Sequence, residues 1–201
     1  PVEGDDIGEC WGISAHPNGD GSIRNGVYAG MKLSKVWEEH PEVFGNLAYD
    51  RFPLLTKIID AKADLSIQVH PDDAYAKEHE NGSFGKTECW YIMDAPENAT
   101  LVIGHNAKTK EELASMIHEG RWSEFIREIL ETQQNSDITY RVYDYDRLQN
   151  GRPRELHIEK SIDVITVPAK SVEDSVTSAL GLPENRLNEL YACGYYQIYK
   201  L

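Results

Sequence analysis

Ser66-Ile67-Gln68-Val69-His70-Pro71-Asp72-Asp73, followed by Gly85-Lys86-Thr87-Glu88-Cys89-Trp90-Tyr91, decides how this chain is read. Gln68 and His70 are two apart, and so are Lys86 and Glu88. On a β-strand, side chains at i and i+2 leave the same face. Both segments hold β-branched or aromatic residues, so each reads as a strand. If the two strands are neighbours, Gln68, His70, Lys86 and Glu88 converge on one patch. An imidazole, a carboxylate and an amide oxygen can hold a divalent metal. A lysine beside them can meet a phosphate or another anion. Against this, a single His or Glu in a strand more often serves structure or faces water.

Composition sets the class. The 201 residues suffice for one large or two small domains. An apolar fraction of 40% and a charged fraction of 27% are those of an ordinary globular protein. No apolar run approaches the ~20 residues of a membrane span, and no signal peptide opens the chain. Twenty Lys and Arg stand against 34 Asp and Glu, a formal net charge of -14. That disfavours general nucleic-acid binding but leaves room for a small phosphorylated substrate held by local cations. Cys10, Cys89 and Cys193 are far apart and odd in number, with no Cys-x-x-Cys pair. That usage suits a reducing cytoplasm and not a zinc finger.

Working outward, strands are expected at 9–14, 54–60, 65–70, 139–145, 161–167 and 195–201. Residues 90–93 and 100–103 are expected to pair as an antiparallel hairpin. A short helix is expected at 34–40, capped by Ser34 and ended by His40-Pro41. A brief one is expected at 72–78. Thr109-Lys110-Glu111-Glu112 is a capping box. Leu113, Met116 and Ile117 follow as an apolar stripe, with Gly120 as the stop. Trp122, Phe125, Ile126 and Ile129 carry a second stripe, expected to form another helix. Strands dominate, with a helical insertion at 109–129, which points to a β-sandwich or barrel with helical additions.

The stretch 131–147 is unusually polar for a strand. Asp137, Thr139, Arg141 and Tyr143 fall on one face. Such a face either meets water with an Asp–Arg pair or lines a polar cavity. In the second case Arg141 stabilises an oxyanion and Asp137 helps in proton transfer.

Together, Gly8-Glu9-Cys10-Trp11-Gly12-Ile13-Ser14-Ala15-His16-Pro17-Asn18-Gly19, Arg51-Phe52-Pro53-Leu54-Leu55-Thr56-Lys57, the two opening segments and 131–147 resemble the class I mannose-6-phosphate isomerases of the short bacterial kind. The resemblance runs from about residue 8 to about residue 167. It implies a mainly β fold, a cupin (jelly-roll-like) β-barrel with a helical insertion and a C-terminal barrel half that is incomplete. The catalytic cupin domain is then expected at 1–108 and 130–168, with the start of a C-terminal β domain at 169–201. It implies a zinc-dependent, cytoplasmic aldose–ketose isomerase acting on a sugar phosphate, with one Zn2+ per subunit. His70, Glu88 and Gln68 match the metal ligands. Arg141 and Lys86 match the residues that meet substrate, and Asp137 an acidic partner. The family pattern holds a further His in a strand-turn-strand unit ahead of residue 131. Here residue 129 runs straight into residue 130, which reads as a join between pieces of a longer chain or, alternatively, as a deletion that abolishes the site. A different class, a non-catalytic cupin that binds a metal or sugar phosphate, would share His70 and Glu88. Lys86 and Arg141 together favour catalysis, because a pure metal-binding module has no need of a cation for an enediolate.

Overall fold

The computed structural model describes residues 8–95, 99–128, 138–171 and 173–201. In chain order these form β1 (Glu9–Ile13), α1 (Leu33–Glu39), β2 (Thr56–Ile59), β3 (Ile67–Val69), α2 (Asp73–His79), β4 (Val102–His105), α3 (Lys110–His118) and α4 (Trp122–Phe125). Then come β5 (Ile126–Glu128), β6 (Tyr140–Tyr143), β7 (Leu148–Gln149), β8 (Arg152–Pro153), α5 (Ile158–Val164), β9 (Asn188–Ala192) and β10 (Gln197–Lys200). The strands are short and pair antiparallel in two-stranded sheets. The chain divides into two compact units, residues 1–87 with 133–164, and residues 88–132 with 165–201.

In the first unit, β1 pairs with β2 and β3 with β6. α1 buries Leu33, Val36 and Trp37, a stripe at i, i+3 and i+4. Trp37 packs against the rings of Phe44 and Phe52 at 5.0 and 5.5 Å. Ser34 does not cap this helix; it sits in the first turn. Both its backbone N–H and its hydroxyl donate to the Asp20 carboxylate, at 3.3 and 2.6 Å. α2 starts at a true cap, Asp72, whose carboxylate accepts from Tyr75 N at 2.9 Å. The β3–β6 pair buries Ile67, Tyr140 and Val142, and Val142 is wholly inaccessible.

The strand expected at 161–167 is instead helix α5 at 158–164, packed against β6. Ser161 is the reason the helix fits so closely. It is fully buried, and its hydroxyl bonds the His157 carbonyl one turn back at 2.7 Å. A larger side chain at that position would hold α5 off the sheet.

The second unit buries Leu113, Met116 and Ile117 of α3 with Phe125 and Ile165. Thr109 caps α3, accepting from Glu112 N at 3.2 Å, while Glu112 reaches back to Lys108 N at 2.6 Å. Gly120, at φ +64°, closes it. Gly120 N bonds the Ile117 carbonyl and Arg121 N the Met116 carbonyl, the paired pattern of a glycine stop. Thr109→Ala is therefore expected to cost about 1 kcal/mol. Urea unfolding curves would check this, and an unchanged midpoint would deny the cap its role.

The second helical stripe does not continue. α4 ends at Phe125 because Asn106 takes the last carbonyls, its amide donating to Glu124 O and its backbone to Phe125 O. The chain then turns into β5, which pairs with β4, the two joined by an irregularity where Gly104 adopts φ +73°. The expected partner of β4, residues 90–93, forms no strand. The junction of residues 129 and 130 lies outside the described residues.

Candidate active site

β3 and β6 set the site. Gln68 and Arg141 are direct partners across the pair, and Val69 faces Tyr140. Cross-strand partners share a face, so Gln68 and Arg141 stand together on the side opposite Val69 and the buried Tyr140, next to a register shift at Ile67. His70 follows β3, and its Nδ1 donates to the Ile138 carbonyl at 3.0 Å. A carbonyl only accepts, so Nδ1 carries a proton in this bond. Lys86 places its ammonium 3.5 Å from His70 Nε2 and 3.4 Å from Thr139 Oγ1. Lys86 is 8% exposed, so its charge acts in a partly water-excluded setting. Gln68 donates its amide Nε2 to Ser66 Oγ at 2.8 Å, which turns its carbonyl oxygen the other way.

The segment around Lys86 does not run as the strand that i, i+2 spacing requires. Gly85 N donates to Asp73 Oδ1 at 2.7 Å and Lys86 N to the Pro71 carbonyl at 2.9 Å. The turn after His70 has captured these donors, so β6 and not this segment neighbours β3. Lys86 reaches His70 all the same, by lying across the turn.

Arg141 is half-buried. Its Nη1 donates to the Glu155 carbonyl at 2.9 Å, and its Nε is buried with no hydrogen-bond partner among the described residues. Burial first, then the neighbouring Arg154, hold its guanidinium below the usual range. His157 secures the outer edge of β6, accepting from Arg141 N at 3.1 Å and donating its own N–H to Arg141 O at 2.8 Å.

Gln68, His70, Lys86 and Arg141 thus belong to the first unit. Glu88 belongs to the second, half-buried in a stretch without regular structure. Asp137 lies outside the described residues. Among the described residues no group of three or more His, Cys, Asp and Glu gathers as a metal site. What can be tested of the zinc expectation is the imidazole. A ligating His almost always gives its other ring N–H to a carbonyl or carboxylate, and His70 does so. Three residues that support the site carry no spacing signal of their own: Asp73 and His157 hold backbone N–H groups of Gly85 and Arg141, and Gly85 gives one of them.

Comparison with known proteins gives the lineage. The phosphomannose isomerase type I catalytic domain matches residues 1–99. The mannose-6-phosphate isomerase of Streptococcus mutans is 45% identical over 224 aligned positions, covering 99% of this chain and 70% of that protein. The chain belongs to the type I phosphomannose isomerases. Mannose-6-phosphate isomerase ManA of Bacillus subtilis is 49% identical, over 86% of this chain and 66% of its own length. A crystal structure of mannose 6-phosphate isomerase from Bacillus subtilis superposes with a TM-score of 0.84 at 46% identity. It covers 96% of this chain and 69% of that one. The chain therefore spans about two thirds of the length of these type I relatives.

Proposed function

We propose that this chain carries the site of an aldose–ketose isomerase that interconverts mannose 6-phosphate and fructose 6-phosphate through a cis-enediol. The observation that carries the reading is the ammonium of Lys86 held against the oriented His70 ring, on the sheet face that also presents Gln68 and Arg141. The relatives' shared name supports the substrate. The family resemblance extends this to a cupin barrel, and the separated cysteines to a cytoplasmic location.

His70, Gln68 and Glu88 are the proposed ligands of one zinc ion, with a further His from the longer family pattern. Bound there, zinc would supply Lewis-acid polarisation of the sugar oxygens without redox chemistry. The chain's own residues do the rest. His70 would offer Nε2, its ring oriented because the Ile138 carbonyl holds the other nitrogen. Arg141 places a permanent cation where the enediolate oxygen develops. Lys86 binds an anionic oxygen and so contributes orientation. Asp137 is the proposed proton carrier between C1 and C2. The net charge of -14 opposes a dianion at long range. Beyond about 8–10 Å that field is screened, and the two local cations dominate inside it.

The test is a coupled assay for fructose 6-phosphate formation on the purified chain, before and after chelation, with zinc added back. Activity is expected to fall by more than about 100-fold on chelation and to return with zinc. Absence of turnover in both states, with mannose 6-phosphate still bound, would replace this reading by the non-catalytic one.

A further inference from the structure

We propose that Asp73 is a positioning residue for Lys86, clamping the 85–86 segment onto the turn after His70 so that the ammonium faces the imidazole; the catalytic part of this inference rests on the isomerase reading. Three observations converge. The Asp73 carboxylate accepts the Gly85 N–H at 2.7 Å, a short bond to a charged acceptor. The next amide, Lys86 N, bonds the Pro71 carbonyl at 2.9 Å. These are consecutive donors on one side and Pro71 and Asp73 on the other, so the two short segments are pinned at two points.

The third observation is the closeness of the approach. A Cβ on Gly85 would overlap the Asp72 carbonyl carbon and come within 2.5 Å of Asp73 N. Those are backbone atoms at the start of α2 and cannot swing aside as a side-chain tip would. Only glycine lets the segment lie this close. From that seat the Lys86 side chain spans to His70 Nε2 and Thr139 Oγ1 while staying 8% exposed. Asp73 also differs in task from its neighbour. Asp72 caps α2 through Tyr75 N, whereas the Asp73 bond to Gly85 leaves the helix altogether. Asp73 touches neither substrate nor the proposed zinc in this arrangement; it acts through Lys86.

The experiment is limited acetylation of the folded chain with acetic anhydride, each lysine quantified by mass spectrometry, alongside KM and kcat for mannose 6-phosphate. Lys57 is the internal control: it lies in the same unit, its side chain is 10% exposed, and it pairs with Glu9 at 3.3 Å. Asp73→Ala is expected to raise Lys86 labelling about tenfold, the shift that follows loss of one hydrogen bond to a charged group. Lys57 labelling is expected to hold. Asp73→Asn keeps an acceptor oxygen and is expected to stay within about twofold of the parent. Gly85→Ala is a second route to the same result. KM is expected to rise more than kcat falls in Asp73→Ala. Unchanged Lys86 labelling in both variants, or an equal rise at Lys57, overturns the proposal. A parent chain that shows the labelling pattern but no isomerase activity upholds the clamp and removes the isomerase reading instead.

Discussion

Asp144→Ala is expected to destabilise the chain by about 3 kcal/mol, the lower end of the range for removing one partner of a buried ion pair. Asp144 is 5% exposed and receives two arginines. Arg147 Nη2 donates to Oδ1 at 2.7 Å and Arg154 Nε to Oδ2 at 2.6 Å. Arg154 Nη2 also reaches Oδ1, which makes that pair bidentate. The arginine side chains are 35% and 32% exposed, so their attraction is partly screened, and this sets the lower end. Removing the carboxylate leaves two neighbouring cations with no anion between them.

The same residue predicts an acid dependence. The hydrogen bonds from Arg154, opposed by burial and helped by Arg147, hold the Asp144 carboxyl below its ordinary 3.8. A folded-state value that is lowered contributes stability above 3.8, and the contribution disappears as pH falls through the folded value. Urea midpoints of the parent and of Asp144→Asn are therefore expected to differ most near neutrality and to converge in acid. Parallel pH profiles would show that the ion pairs contribute nothing net.

Where residue chemistry was local, the sequence was legible. Thr109 with Glu112, Gly120, and Asp72 ahead of α2 announce helix ends through side chains or a positive φ, and the helices lie where those signals put them. β1, β2, β3, β6 and β10 follow apolar or aromatic alternation. The β7–β8 hairpin is not among the expected strands, although Asn150-Gly151, at φ 54° and 76°, is a local signal that could have found it. The failures are of another kind. Ile126 belongs by spacing to a helical stripe, yet Asn106 captures the carbonyls before it and the chain extends. Residues 161–165 are rich in β-branched residues, yet the small Ser161 lets a helix lie on β6. In the site, Gln68 lies in β3 as the spacing has it, and His70 follows just past the strand's end. Lys86 reaches the same ring by a route that spacing does not encode, because Asp73 and Pro71 act on backbone donors and leave no pattern in the side chains.

On the proposed isomerase reading, Arg141→Ala is expected to retain the proposed zinc and to lose turnover by about 10²–10³-fold, the usual cost of removing one preorganised charge donor to a developing oxyanion. The reasoning starts from its seat in β6. Backbone bonds to His157 on one edge and pairing with Gln68 on the other fix the Cα, so truncation removes a side chain without releasing the strand. One guanidinium nitrogen is committed to Glu155 O, which orients the planar group, while Nε is buried with no hydrogen-bond partner among the described residues. A buried donor in that condition is costly in the resting protein. An anionic oxygen arriving on this face would meet the guanidinium's charge, and the gain is greatest where negative charge is greatest, in the enediolate. Stabilisation of that kind lowers kcat when lost and leaves KM nearly alone. Arg141→Lys is expected to recover little, since an ammonium cannot present the fixed planar fork. The decisive pairing is metal content against kcat. Full zinc with turnover reduced as stated places Arg141 in the chemistry. Zinc and turnover lost together would make it a structural support of the strand, and turnover within about twofold of the parent would remove it from the reaction.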